Sequence, residues 1–406
     1  MMEMKQMLLN KIADRKIVAG IVGLGYVGLP LAVEKAKAGF RTIGFDLQDK
    51  KVEMVNAGHN YIGDVVDEDL AKLAKSKKLS ATTDFSFIKD VDFIAICVPT
   101  PLDEHQEPDI SYVRDSVIAV SKYLTKGTMV VLESTTYPGT TEELIKPLLE
   151  KGSGLECGKD FYLGFSPERV DPGNKLYHTK NTPKVVGAIG EDAAEVIAAM
   201  YRAVLDGEIY TVSCPAVAEM EKILENTYRN INIGLVNELG RLCKAMGISI
   251  WEVIDAAKTK PYGFQAFYPG PGLGGHCIPL DPYYILNEHK KAINGAKVLV
   301  LGVAYKQDID DYRESPAIRV IKELKKVGAK LSYFDPWVPE FTNMYGESGK
   351  SLAALTPEVI AEFDLVIVTC AHTNVDYAMV QANAKAIFDT KNAMKNIYPR
   401  NNIEVL

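Results

Sequence analysis

The chain has 406 residues, which is enough for two or three domains that each enclose a core. Hydrophobic residues make up 47% and charged residues 24%, a balance that is typical of globular proteins and excludes a largely disordered chain. The net charge of -7 provides no basic surplus, so we expect neither a nucleic acid nor a membrane as a partner.

The first 16 residues carry several charges and lack the apolar centre of a signal peptide, and no later run is long enough to span a bilayer. The six cysteines form no Cys-x-x-Cys pair and have no partners at zinc-ligand spacing. We therefore expect a cytoplasmic protein without a metal site.

The first half of the chain alternates short apolar runs with segments of helical spacing, such as 29–38 and 113–124. This alternation predicts a parallel sheet that is covered by helices on both faces. The predicted strands are Val18–Val22, Thr42–Phe45, Phe93–Val98, Met129–Glu133 and Phe161–Phe165.

A long helix is predicted from Ala216 to about Met246, because apolar residues recur there near the helical period without an intervening proline. Its length exceeds that of most globular helices, which favours a helix that connects domains or subunits. A core helix of one domain is the alternative.

The segment from Pro261 to Pro282 is rich in glycine and proline and is predicted to be an irregular loop shaped around a ligand. A second alternating section follows, with strands at 297–302, 330–334, 365–369 and 386–388 and a helix at 315–327. We therefore predict an α/β protein with two Rossmann-like doubly wound domains joined by a long central helix. The expected boundaries are 1–213, 214–285 and 286–406.

A dinucleotide-binding turn is predicted at Gly23-Leu-Gly25-Tyr-Val-Gly28, which follows a strand and opens a helix. Gly23 permits the tight turn, Gly25 admits a pyrophosphate and Gly28 allows close packing of helix on strand. Asp46 ends the next strand, where an acid accepts hydrogen bonds from a ribose and favours NAD over NADP. A glycine turn beside a solvated aspartate is the alternative. Thr100 and Thr135 follow later strands and are placed to face the cofactor, although both also suit plain turns.

Cys277 lies in the glycine-rich loop rather than in an apolar strand or helix, a setting that suits a nucleophile but does not exclude an inert thiol. Beside NAD, a thiolate can capture an aldehyde and pass through a thioester to an acid. Lys222 could stabilise an oxyanion, with Asn226 on the same helical face. Glu168 is a general-base candidate, and Asp281 could orient water or hold Lys222. A solvated helix face is the alternative for Lys222 and Asn226, capping of a loop is the alternative for Glu168, and an ordinary turn before Pro282 is the alternative for Asp281.

Taken in order, the motifs resemble those of the UDP-glucose/GDP-mannose dehydrogenase family, from about Ile17 onwards. The resemblance implies an NAD-dependent, four-electron oxidation of the sixth carbon of a nucleotide sugar, and a homodimer or higher homo-oligomer with a C-terminal UDP-sugar-binding domain. The motifs that carry it are Gly23–Gly28, Val98–Pro101, Glu133–Thr135, Ala218–Asn226, Gly274–Asp281 and Lys306 with Asp311–Ser315.

The residues and the resemblance together give the predicted site, which contains no metal. The catalytic residues are Cys277, Lys222, Asn226, Asp281, Glu168 and Thr135. The cofactor contacts are Gly23, Gly25, Tyr26, Val27, Gly28, Asp46, Lys51, Pro99, Thr100, Thr135 and Arg313. The substrate contacts are Glu168, Arg169, Lys222, Asn226, Tyr268, Gly274 and Lys306.

At two positions the chain carries residues, Arg169 and Leu280, that resemble those of the branch acting on 2-acetamido sugars, especially the UDP-N-acetylglucosamine 6-dehydrogenases. UDP-glucose and UDP-N-acetylmannosamine are the alternative substrates. A single-step hydroxyacid dehydrogenase with Lys222 as the base is a further alternative.

One departure from the family occurs where Ile285 runs directly into Leu286, because the family continues here with several helical turns. Either the chain carries a deletion, or residues of the natural chain are missing from the printed sequence. A true deletion would favour an inactive nucleotide-sugar binder.

Overall fold

The computed structural model describes residues 2–100, 109–170, 174, 176–270, 295–313, 315–342 and 347–405. The chain divides into two compact units, residues 1–226 and 227–406.

The first unit is built on an eight-stranded sheet with the order β3-β2-β1-β4-β5-β6-β7-β8. The first six positions have the order of a Rossmann fold, and all their pairings are parallel. The strands are β1 (Val18–Val22), β2 (Arg41–Phe45), β3 (Leu79–Thr82), β4 (Phe93–Ile96), β5 (Thr128–Leu132), β6 (Phe161–Phe165), β7 (Lys184–Ala188) and β8 (Ile209–Val212).

One strand pair departs from the predicted parallel sheet, because β6 and β7 are antiparallel. The described residues between these strands contain no helix, so the chain returns beside β6 without the crossover that a parallel pair requires. The pairing of β7 with β8 is parallel again, and α7 lies between them in the chain.

Helices cover both faces of this sheet. Buried side chains of α2 and α7 belong to one apolar layer, and those of α5 and α6 belong to the other. The helices are α1 (Met2–Ala13), α2 (Gly28–Lys37), α3 (Asp49–Ala57), α4 (Asp67–Lys75), α5 (Ser111–Ser121), α6 (Lys146–Ser153) and α7 (Glu191–Arg202). A 3₁₀ segment occupies Phe85–Asp90, and a π-helical turn, Thr140–Ile145, leads into α6.

The predicted long helix is confirmed as α8 (Pro215–Ala245), which begins in the first unit and ends in the second. In the second unit, its later residues Val236 and Cys243 pack with Ile250 and Ile254 of α9 (Ile250–Ala257) in a small apolar cluster.

The second unit contains a smaller, fully parallel sheet of five strands with the order β10-β9-β13-β14-β15. Apolar layers lie on both of its faces, so the doubly wound architecture that the sequence predicts is confirmed here as well. The elements are β9 (Lys297–Leu301), α10 (Pro316–Lys326), β10 (Lys330–Phe334), β11 (Glu340–Thr342), β12 (Ser348–Lys350), α11 (Pro357–Ala361), β13 (Leu365–Val368), α12 (Tyr377–Asn383), β14 (Ile387–Asp389) and β15 (Ile403–Val405). Within the described ranges, no helix has both the length and the apolar content needed to cross a membrane.

Candidate active site

The glycine turn after β1 has the geometry that a dinucleotide requires. Gly23 has φ of +91°, and a Cβ there would lie 2.7 Å from the carbonyl oxygen of Cys97. A Cβ on Gly28 would lie 1.8 Å from the carbonyl oxygen of Gly23. In contrast, a Cβ on Gly25 would meet no atom within 4 Å, which is the open space that a pyrophosphate beside the N-terminus of α2 needs.

The turn is joined to the acid at the end of β2. The Asp46 carboxylate accepts hydrogen bonds from the backbone N–H of Leu24 at 2.9 Å and of Gln48 at 3.0 Å. Lys51 donates to the same carboxylate at 3.4 Å, and Tyr61 donates to the Leu24 carbonyl at 2.8 Å. These contacts fix the acid beside the glycine turn, as a ribose-binding carboxylate requires, so the residues present fit NAD.

The remaining predicted cofactor contacts of this unit lie on or beside the same edge of the sheet. Tyr26 and Val27 are partly buried against the core below the turn. Beyond β4, Pro99 is exposed and Thr100 is half-buried, and Thr135 is half-buried beyond β5. Their positions at the carboxyl ends of parallel strands match the place where doubly wound sheets bind ligands.

A buried charge network lies under this edge and was not predicted from the sequence. The ammonium of Lys184 lies 2.7 Å from the Glu133 carboxylate and 3.7 Å from that of Glu168. Tyr201 donates to the other oxygen of Glu133 at 2.5 Å. Burial disfavours the charge of Lys184, but attraction to the two carboxylates outweighs it and raises the pKa of the lysine. Lys184 therefore holds one positive charge between the ends of β5 and β6.

Glu168, the general-base candidate, is turned towards this network. One oxygen of its carboxylate accepts the backbone N–H groups of Arg169 at 2.9 Å and Val170 at 2.7 Å. The other oxygen is the one nearest Lys184. Its backbone carbonyl accepts a hydrogen bond from Lys222, so the structure brings two predicted catalytic residues into contact.

Arg169 is engaged by carboxylates of α8. Its guanidinium donates to Glu225 and lies 3.3 Å from Glu221. Burial raises the pKa of Glu221 to about 7, assisted by Glu225 and opposed by Arg169 and Lys222. Burial also opposes ionisation of Glu225, but the hydrogen bonds from Arg169 and Glu221 and the attraction of Arg169 and Lys222 together outweigh it and lower that pKa. Two carboxylates thus share one guanidinium, and Glu221 is the one that holds a proton near neutral pH.

Asn226 is exposed on α8, one turn beyond Lys222. In the second unit, Lys306 is half-buried, and the exposed Arg313 makes a two-bond ion pair with Asp311, at 2.9 and 2.8 Å. Tyr268 stacks on Trp251 with ring centroids 5.9 Å apart. Gly274, Cys277, Leu280, Asp281 and the Ile285–Leu286 junction lie outside the described residues.

The arrangement in the first unit can hold a dinucleotide on the glycine turn and Asp46, with hydroxyl, carboxylate and ammonium groups at the adjoining strand ends. The sequence assigns no role of their own to Lys184 and to Glu219 of α8, and the structure shows both to be buried and paired. Lys184 could have been noticed as a lysine that opens an apolar run, Lys184–Ala188.

Comparison with known proteins gives a family for all three parts of the chain. The models of the UDP-glucose/GDP-mannose dehydrogenase family match residues 17–205 as the NAD binding domain, 216–303 as the central domain and 299–396 as the UDP binding domain.

Curated relatives and solved structures agree with this match. The chain is 35% identical over 360 residues to UDP-N-acetyl-D-glucosamine 6-dehydrogenase of Pseudomonas aeruginosa, which covers 80% of this chain and 84% of the relative. It is 33% identical over 351 residues to UDP-N-acetyl-D-mannosamine dehydrogenase of Pyrococcus horikoshii, covering 78% and 83%. The structure of the UDP-D-ManNAc dehydrogenase from P. horikoshii matches with a TM-score of 0.84 and 28% identity, over 96% of this chain and 99% of that one.

Proposed function

The chain belongs to the UDP-glucose/GDP-mannose dehydrogenase family and is an NAD-dependent UDP-sugar dehydrogenase, and we propose that it oxidises UDP-N-acetylglucosamine at C6 to the uronic acid. The observation that carries this proposal is the contact of Lys222 with the Glu168 carbonyl, in the same unit as the glycine turn and Asp46. It joins two predicted catalytic residues within the unit that contains the cofactor-binding turn.

Bound NAD would accept one hydride in each of two oxidation steps. In the first, the C6 hydroxyl loses a proton and C6 loses a hydride, which gives an aldehyde. The Cys277 thiolate adds to the aldehyde carbon as a thiohemiacetal, and loss of a second hydride gives a thioester. Water hydrolyses the thioester, releases the carboxylate and returns the thiol. The balance is one alcohol, one water and two NAD consumed for one carboxylate, two NADH and three protons.

The roles proposed for the described residues follow from their contacts. Lys222, with Asn226 one turn further on, stabilises the oxyanion on the substrate carbon. Glu168 and Thr135 assist water and proton transfer, and the ammonium of Lys184 lies 3.7 Å from the Glu168 carboxylate. Arg313 is proposed to contact the cofactor, and Lys306, Tyr268 and Gly274 the substrate.

The preference for a 2-acetamido sugar is supported by Arg169 and Leu280 and by the names of the relatives. Because the relatives are named for two different epimers, UDP-N-acetylmannosamine is the second candidate substrate, and UDP-glucose is the third. The pairing of Arg169 with Glu225 supports a fixed, charged wall at this part of the site.

The test is NADH release by the purified protein over UDP-N-acetylglucosamine, UDP-N-acetylmannosamine, UDP-glucose and GDP-mannose. We expect the highest kcat/KM with UDP-N-acetylglucosamine and two NADH per sugar. A higher value with the mannosamine would transfer the proposal to that epimer. One NADH per molecule, with a hydroxyacid as the better substrate, would contradict the four-electron reaction, and binding without turnover would indicate a sensor.

The role of Cys277 is tested by comparing Cys277→Ala with Cys157→Ala, in which a half-buried thiol of the first unit is removed. Cys277→Ala should abolish acid formation, whereas Cys157→Ala should retain it. If Cys277→Ala still releases two NADH per sugar, the thioester route is wrong.

We also propose that the enzyme is a homodimer or a higher homo-oligomer that uses an apolar stripe on α8. The stripe recurs every three or four residues and is about 37 Å long. Isolated exposed apolar residues are common, but a continuous row of this length is typical of an interface. Its members are Val217, Met220, Leu224, Tyr228, Ile231, Leu235, Leu239 and Leu242.

Light scattering after size-exclusion chromatography tests the stripe. The wild type should elute as a dimer or larger, and Ile231→Glu should lower the mass because it places a charge where Ile231 is 63% exposed in the isolated chain. Asn230→Glu, which places the same charge at an exposed position of the helix off the stripe, serves as the control. A monomeric wild type would contradict this assembly.

A further inference from the structure

Glu219 is a carboxylate with no exposed surface, located on α8 one turn before Lys222. It accepts three hydrogen bonds from the segment that follows β5. The donors are the backbone N–H of Gly139 at 2.6 Å, the backbone N–H of Thr141 at 2.9 Å and the hydroxyl of Thr141 at 2.7 Å. Because the carboxylate is buried and accepts three hydrogen bonds, it links α8 firmly to the segment that follows β5.

The segment that accepts this link begins immediately after Thr135 and contains hydrogen bonds between its own residues. The hydroxyls of Thr136 and Thr140 lie 2.7 Å apart, and Thr140 donates to the carbonyl of Tyr137 at 2.7 Å. Since the Thr140 proton is used in that bond, Thr136 is the donor to Thr140. Thr135 is therefore attached to a short braced loop whose far end is fixed by Glu219.

A second set of contacts also joins α8 to the end of β5. Lys222 donates to the Glu168 carbonyl, and Lys184 lies between the carboxylates of Glu168 and Glu133. Glu133 precedes Thr135 by two residues. Thr135, Glu219, Lys222 and Glu168 thus belong to one closed ring of hydrogen bonds, ion pairs and backbone, and Glu219 is its link from α8 to the loop.

Resting on the proposed function, we propose that Glu219 is a positioning residue that sets the placement of Lys222 relative to Thr135. It touches neither substrate nor cofactor in this role. Losing it would let the loop and the helix shift against each other, which lowers the rate of the chemical steps more than it weakens binding. A misplacement of about 1 Å costs roughly 100-fold in rate in an active site.

The test compares Glu219→Gln and Thr141→Val with Glu142→Gln, which removes an exposed carboxylate from the same segment. In Glu219→Gln an amide group faces backbone N–H donors, so we expect kcat to fall by about 10- to 100-fold. In Thr141→Val one of the three hydrogen bonds is lost, and kcat should fall by a few fold. Glu142→Gln should match the wild type. The KM for the UDP-sugar and the Kd for NAD should change by less than about threefold in every variant.

All rates are measured at least 15 °C below each variant's melting temperature, so that loss of folded protein does not enter kcat. If Glu219→Gln does not fold, Thr141→Val alone decides the matter. Wild-type kcat in the folded variants, whatever their melting temperatures, would show a purely structural Glu219 and overturn this role alone. A wild type that turns over no UDP-sugar would instead overturn the proposed function, and this role with it.

Discussion

Lys35 is a buried amine in the first unit, and it allows a sharp test of the charge distribution in the core. It lies on α2 with no exposed surface. Its ammonium nitrogen lies 4.0 Å from the centroid of the Phe93 ring and 4.7 Å from that of Tyr201. Among the described residues it has no hydrogen-bond partner. Burial lowers the pKa of Lys35 to about 7. Repulsion by Lys184 lowers this pKa further, whereas attraction by Glu133 opposes the shift.

The lowered pKa makes stability depend on pH. In the unfolded chain a lysine has a pKa of about 10.4, so between pH 7 and 10 the unfolded state binds more protons than the folded state. The free energy of unfolding therefore rises with pH in this window and falls as the pH is lowered to 7. One pKa unit corresponds to about 1.4 kcal/mol, so the cost is about 4 kcal/mol at pH 7 and about 2 kcal/mol at pH 9.

Lys35→Met removes the titrating amine while keeping a long apolar side chain between the two rings. The variant also loses cation–π attraction, which is worth about 2 kcal/mol when the cation is desolvated. We therefore expect a gain in stability of about 2 to 4 kcal/mol at pH 7. This gain should shrink by about 2 kcal/mol at pH 9.

The assay must report on the first unit, and both tryptophans, Trp251 and Trp337, lie in the second. Cys97 is buried immediately after β4, so pulsed thiol labelling of its peptide in urea reports unfolding around Lys35. Lys75→Met removes an exposed lysine of α4 and should change stability by less than about 0.5 kcal/mol at both pH values. An equal effect of Lys35→Met at pH 7 and pH 9, or a marked loss of stability at pH 7, would refute the reasoning.

Three further outcomes are expected. Gly28→Ala should abolish NAD binding in titration calorimetry, because its Cβ would lie 1.8 Å from the Gly23 carbonyl oxygen and the turn must open; unchanged affinity would contradict the assignment of the turn. Lys184→Met should lower the free energy of urea unfolding by about 3 to 5 kcal/mol by leaving the Glu133 carboxylate buried without its cation, and adding Glu133→Gln should restore part of the loss. Calorimetry of the wild type should show one NAD per chain, because the corresponding acid of the second unit, Asp335, already accepts five hydrogen bonds. A second site of similar affinity would contradict this expectation.

Much of the framework could be predicted because its signals are local in the chain. The apolar runs at Val18–Val22 and Phe161–Phe165 are strands with the predicted bounds. β3 (Leu79–Thr82) was missed because it is short and only alternately buried, and β7 was missed because it opens with a lysine. Periodicity identifies elements that bury apolar faces and passes over those whose burial depends on a distant partner.

The same distinction separates the parts of the site. The glycine turn and Asp46 lie within 24 residues of sequence, and their motif contains the geometry. Glu219 bonds to residues 78 and 80 positions away, and Lys184 pairs with a carboxylate 51 positions away. On sequence alone, Glu219 is one more acid on a helix. Only the fold shows that its three donors come from the loop beyond Thr135.

The two doubly wound units show why a motif must be checked against its hydrogen bonds. Gly302 follows β9 with φ of +85°, and Asp335 follows β10, as Gly23 and Asp46 follow β1 and β2. However, Asp335 accepts five hydrogen bonds: from the backbone N–H groups of Val303, Ala304, Trp337 and Val338, and from the ring of His372.

A carboxylate has about four lone-pair sites, so Asp335 has none left for a ribose. His372 supplies the fifth bond, because its Nδ1 accepts the N–H of Asp308, which leaves Nε2 to donate to Asp335. Asp46 receives only three such bonds from the described residues, and its turn reaches a helix at Gly28, whereas α10 begins 14 residues after Gly302. The same strand–glycine–acid pattern thus leaves acceptor capacity on the acid of the first unit and fills it in the second, which favours the first unit as the one whose acid can accept bonds from a ribose.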